Sequence, residues 1–65
     1  MSREMAFFMY LTERYAAYKS TTAGDVLAQW DKAGITDRIF SFYELYHTEA
    51  IENAFADIDR LLQTQ

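Results

Sequence analysis

No proline interrupts these 65 residues, and glycine occurs twice, at Gly24 and Gly34. Proline and glycine are the strongest breakers of regular backbone, so long helices are open to this chain. Strands would show as runs rich in Val, Ile and Thr that alternate with polar residues, and no such run is present. The expected fold is all-α: one helical domain over residues 1–65, a compact bundle of three to four short helices.

Capping signals place the helices. Ser2 is a candidate N-cap for a first helix over Arg3–Tyr18. Steps of roughly 100° put Phe7, Phe8, Leu11, Tyr15 and Tyr18 on one face, widened by Met5, Met9 and Ala16. Tyr10 falls among the charged residues instead. Thr22 and Asp25 resemble a capping box for a second helix over Ala23–Ala33, whose apolar set is Ala23, Val26, Leu27, Trp30 and Ala33. Gly34 suits the left-handed residue that ends it. Thr36 is the expected cap of a third helix over Asp37–Tyr46, with Ile35 and Phe40 as a hydrophobic staple. Its main face is Ile39, Phe42, Tyr43 and Tyr46, with Phe40 and Leu45 on the flanks. Thr48 is the expected cap of a fourth helix over Glu49–Leu62, with Ile51, Ala54, Phe55, Ile58, Leu61 and Leu62 inward. Nothing near residue 47 forbids the last two helices from merging. The wide apolar arcs of helices 1 and 3 place them at the centre, covered by helices 2 and 4.

Charge and composition narrow the function classes. Ten acids against six bases give a net charge of −4, which disfavours nucleic acid, whose phosphates need clustered Lys and Arg. A helix-turn-helix over residues 22–46 would offer its groove one Arg and many aromatics, the wrong chemistry for base edges. There is no Cys, so neither a disulfide nor a thiolate metal site can staple the fold. The longest apolar run, Met5 to Leu11, is far too short to cross a bilayer. The N-terminus carries no signal-peptide pattern, so a cytoplasmic location and no membrane partner are expected.

Catalytic chemistry has little to work with. The single His, His47, has no Ser or Cys partner in a recognisable motif, and no phosphate-binding glycine pattern exists. Glu44 and His47 have the i, i+3 spacing of paired metal ligands, but two ligands do not close a site. His47 is better read as closing helix 3, bonded to a nearby carbonyl or carboxylate. The expectation is a non-enzyme with no cofactor, no metal and no catalytic residue.

What remains is surface. Of eleven aromatics, nine lie on expected buried stripes and Phe40 is the staple, which leaves Tyr10 over, in a domain of a size that buries only about 60% of its unfolded surface. Tyr10, Phe40 and Leu45 depart from the central stripes, and Met9, at the widened edge of the helix 1 face, suits an adaptable contact. The carboxylates from Glu44 to Asp59 are uninterrupted by any base, the pattern of a solvated helix face or of an acidic docking surface. The candidate partner-binding set is therefore Met9, Tyr10, Phe40 and Leu45, rimmed by Glu49, Glu52, Asp57 and Asp59. The partner is another protein or a second copy of this chain, as a homodimer or larger homo-oligomer of structural or accessory role.

The run Tyr43-Glu44-Leu45-Tyr46-His47-Thr48-Glu49, followed by Asp57-Ile58-Asp59, resembles a family of short bacterial proteins catalogued as domain of unknown function 3791. The likeness extends to Phe7-Phe8 through Tyr18-Lys19, to Asp25-Val26-Leu27 and to Trp30-Asp31-Lys32. Tyr46 stands where many relatives have Leu, which puts the match within a subgroup. The resemblance implies a small cytoplasmic helical protein with no assigned activity. Some relatives are encoded beside ADP-ribosyltransferase-like proteins, as an antitoxin sits beside its toxin. By that analogy the chain would bind and neutralise such a protein.

Overall fold

A computed structural model describes residues 1–64. Its helices are α1 (Arg3–Tyr18), α2 (Ala23–Ala33), α3 (Thr36–Phe40), α4 (Phe42–Tyr46) and α5 (Glu52–Gln63). Among the described residues there is no strand. The all-α bundle is confirmed, with α3 and α4 as two halves of one interrupted helix.

α1 and α2 form where the capping signals place them. The Met5 N–H donates to Ser2 Oγ at 3.0 Å, and the Asp25 N–H donates to Thr22 Oγ1 at 3.1 Å. The reciprocal half of the capping box is absent from the bonds at this end. The Asp25 carboxylate accepts from the Thr21 hydroxyl at 3.0 Å instead, as expected of a side chain one methylene shorter than Glu. Both helices end in the same paired arrangement. The Gly34 N–H reaches the Asp31 carbonyl at 3.1 Å and the Ile35 N–H reaches Trp30 at 3.0 Å. The Ser20 N–H likewise reaches Ala17 at 3.2 Å and the Thr21 N–H reaches Ala16 at 2.9 Å. The left-handed residue is Gly34 at φ 73° in one case and Ser20 at φ 57° in the other.

The continuous third helix is corrected. Ser41 separates α3 from α4, and its N–H is shared between the Asp37 and Arg38 carbonyls, each at 3.2 Å. Its hydroxyl also donates to the Asp37 carbonyl at 3.2 Å, a back-bond that competes with the helical ladder and bends the chain. Thr36 does not cap either. It lies inside α3, its hydroxyl donates to Asp31, and Ile35 precedes the helix with no side-chain cap bond. The staple therefore lacks its expected cap, although Ile35 is buried and Phe40 half-buried in the same core.

The fourth helix begins later than expected, at Glu52 rather than Glu49, and is separate from α4. Residues 47–51 turn through short i to i+3 bonds, including Asn53 N–H to the Ala50 carbonyl at 3.0 Å. Thr48 makes no cap; Ile51, 7% exposed, anchors this turn in the core. Burial of Ile51 together with Ala54, Phe55 and Ile58 decides where α5 starts.

The core is centred on α1 and Trp30. Leu11, Tyr15, Val26, Trp30, Ile39 and Ile58 are its fully buried large side chains. Trp30 meets the Phe8 ring at 5.9 Å and the Tyr15 ring at 5.7 Å, and Tyr15 meets Phe55 at 5.6 Å. Helix 2 thus supplies the centre of the core, not merely its cover. Tyr18 is also corrected: it is 57% exposed, stacked on Phe55 at 4.8 Å with Lys19 Nζ 5.1 Å over its ring.

Candidate interaction surface

α4 presents two aromatic sides. Phe42 and Tyr46 face the core and α5, their rings 5.4 Å apart. Tyr43 and His47, one turn apart, stack at 4.3 Å with nearly parallel planes (11°). His47 Nδ1 lies 2.7 Å from the Tyr43 carbonyl, so the ring closes α4 as its spacing suggested. Phe7 of α1 meets the edge of Tyr43 at 5.8 Å. These contacts make a ladder, Phe7–Tyr43–His47, that crosses from α1 to α4. Its members grade from half-buried Phe7 and Tyr43 to exposed His47. Tyr10, 53% exposed, lies one turn beyond Phe7 on α1.

The stripe outliers Tyr10 and Leu45 are 53% and 60% exposed, and Met9, on the edge of the helix 1 face, is 50% exposed. They do not form one patch. Met9 borders a small cleft of about 60 Å³ with Phe8, Thr12, Ala23 and Leu27, on the α2 side of α1. Tyr10 lies roughly 60° around α1 from Phe7, the residue that meets Tyr43 of α4. Leu45 lies roughly 160° around α4 from Tyr43. Phe40 is half-buried, its ring 5.4 Å from Phe8, so much of it serves the core.

The four acids also divide. Asp59 accepts from the Tyr15 hydroxyl at 2.5 Å and pairs with Lys19 at 3.3 Å. Asp57 accepts from the Tyr46 hydroxyl and pairs with Arg60 at 2.6 Å. Both are half-buried and bind α5 to the rest of the fold. Glu49 accepts from Asn53 Nδ2 at 2.9 Å, and Glu52 faces Arg14 at 3.8 Å. Glu49 and Glu52 are exposed, and their local bonds are of the weak surface kind. They are the acids of the set that stay open to solvent.

The tyrosine–aspartate bonds leave an electrostatic mark. Burial, then the Asp59 hydrogen bond, holds the Tyr15 hydroxyl protonated well beyond the usual phenol range. The bond to Asp57, then burial, raises the Tyr46 pKa. In both cases the phenol is a donor to a carboxylate, a role it loses on ionisation.

Neither Tyr43, expected on the buried face, nor His47, expected to close the helix, belongs to the candidate partner-binding set. Their i, i+4 spacing on a helix is the signal that pairs them. Among the described residues no group of three or more His, Cys, Asp or Glu is placed to hold a metal ion. No helix in this range is long and apolar enough to cross a membrane.

Residues 6–65 match the family described as "Protein of unknown function (DUF3791)". The chain belongs to this family. No curated protein and no solved structure matches it.

Proposed function

We propose that this DUF3791 protein is a non-enzymatic interaction module that binds another protein through the Phe7–Tyr43–His47 ladder and the adjoining Tyr10. The observation that carries this reading is the ladder itself. Packing fixes its rings, yet Tyr10 and His47 stand open to solvent. Rigid aromatics with polar tips bury large area at low entropic cost, which is why they dominate protein contacts. The exposed Arg14–Glu52 pair joins α1 to α5 and supplies polar groups of the kind that rim such contacts. The family resemblance adds the partner class: an ADP-ribosyltransferase-like protein encoded alongside, which this chain would neutralise in the cytoplasm as an antitoxin does.

Co-purification of the tagged chain with the protein encoded beside it tests the reading. Tyr10→Ala should reduce recovery of the partner while the melting temperature stays unchanged, and His47→Ala should reduce it by more than the small loss of stability from the missing α4-closing ring accounts for. Recovery unaffected by both substitutions would remove the ladder from the contact. A second reading, a homo-oligomer, draws on a different feature. Met5 and Met9, 39% and 50% exposed, stand one turn apart on α1 and suit an adaptable self-contact. Light scattering after size exclusion decides it, since a monomer at micromolar concentration leaves that reading without support.

A further inference from the structure

α3, α4 and α5 enclose a groove of about 360 Å³, lined by Arg38, Phe42, Asp57, Arg60, Leu61 and Thr64. It shares no residue with the aromatic ladder. Two of the six basic residues of an acidic chain meet in it, brought together from separate helices. Arg60 is spoken for: its Nη1 is 2.6 Å from Asp57 Oδ1, while Asp57 Oδ2 accepts from Tyr46. Arg38 is exposed and makes no ion pair among the described residues. With Asp57 offsetting one guanidinium, the side chains of the described lining residues keep one positive charge in excess. Phe42, 6% exposed, and half-buried Leu61 give it an apolar lining beside that charge.

We infer that this groove binds a segment of a partner protein in which a carboxylate stands next to a hydrophobic side chain. The carboxylate pairs with the fork of Arg38, and the apolar group covers Phe42 and Leu61. Charge complementarity selects this occupant. The chain carries a net charge of −4, so its overall field repels acidic segments, and attraction has to come from this groove in particular. The apolar lining favours an anion with a hydrophobic neighbour over a bare hydrated one. The site adds a second contact to the protein-interaction reading and does not depend on the ladder.

The test is a nuclear magnetic resonance titration of the full chain, labelled with nitrogen-15, at constant ionic strength. The probes are acetyl-Phe-Glu-amide, its neutral counterpart acetyl-Phe-Gln-amide, and sodium acetate. The Glu peptide should shift the amide signals of Arg38, Phe42, Arg60 and Leu61 saturably. The Gln peptide should bind at least about tenfold more weakly, the loss expected when a charge-assisted hydrogen bond goes. Arg38→Gln should weaken the Glu peptide by a similar factor with an unchanged melting temperature, and Arg38→Lys should fall between. The inference is overturned by equal binding of the Glu and Gln peptides, by saturation with acetate alone, or by indifference to Arg38→Gln. Shifts confined to other residues, or no saturation by the Glu peptide in the low millimolar range, overturn it too. None of these results touches the ladder, which the co-purification reads separately.

Discussion

α1 and α2 begin and end on bonds between residues three to five apart, whereas α5 is held by side chains that reach it from across the fold. Ser2 and Thr22 cap the first two helices, and paired N–H to carbonyl bonds close them at Ser20 and Gly34. α3, α4 and α5 have no side-chain cap bond at their starts. α5 is tied instead through Asp59 to Tyr15 and Lys19, and through Asp57 to Tyr46. Local bonds specify a helix before it packs; distant ones specify it only once the core has formed. The first region should therefore respond to changes in its caps, and the second to loss of its tyrosine hydroxyls.

The largest expected effect is at Tyr15. Tyr15→Phe keeps the ring in the core but removes the donor to Asp59, and should cost about 1.5–3 kcal/mol, the range for hydrogen bonds to charged groups. Hydrogen exchange should report faster opening in α5 than in α2. The substitution should also alter the alkaline limb. The folded state raises the Tyr15 pKa above its ordinary value of 10.0, so its stabilisation is complete below pH 10. Above that pH the unfolded phenol ionises first, and stability falls as pH climbs toward the folded value. Denaturant melts between pH 9 and 11 should show this fall in the wild type and a smaller one in Tyr15→Phe, at roughly the slope of a single titrating group. Equal slopes would remove Tyr15 from the alkaline transition.

A smaller effect separates two threonines. Thr22→Ala should cost about 1 kcal/mol through loss of a formed cap, while Thr48→Ala should stay within about 0.5 kcal/mol. Urea denaturation of the two variants measures the difference directly. Comparable losses would mean that Thr48 does support the start of α5. The smallest effect is a gain. Ser20 holds φ 57° where Gly34 holds φ 73°, so Ser20→Gly should stabilise the end of α1 by about 0.5–1 kcal/mol. A raised melting temperature checks it.

Where bonds are local, the sequence was legible. Arg3–Tyr18 and Ala23–Ala33 follow from Ser2, Thr22 and Gly34 because each signal acts within a turn of the helix end. Beyond Gly34 the same threonine rule misleads. Thr36 donates to Asp31, a partner set by how α2 and α3 meet, and Thr48 yields to the burial of Ile51. The break at Ser41 had a visible cause in its hydroxyl, but a serine within a helix bends it only where the surroundings reward the bend. Of the surface, the exposure of Tyr10 and Leu45 was legible from their departure from the apolar stripes, whereas Met9 sits on the widened helix 1 face and is nonetheless 50% exposed. Their separation was not, because periodicity orders residues around one helix and is silent on which neighbour each flank meets. Asp57 and Asp59 read as solvated charge for the same reason: their tyrosine partners lie on other helices.

The two aspartates of α5 lie roughly 160° apart around its axis, so Tyr15 and Tyr46 grip the helix from nearly opposite sides. An apolar stripe alone allows a helix to roll, since burial is non-directional. Hydrogen bonds at two azimuths do not, because each is lost within a small rotation. Arg60, bonded to one of these aspartates, lines the same groove as Arg38. A substitution of Tyr15, remote from the groove in sequence, would let α5 turn and so change the shape of a surface it never touches.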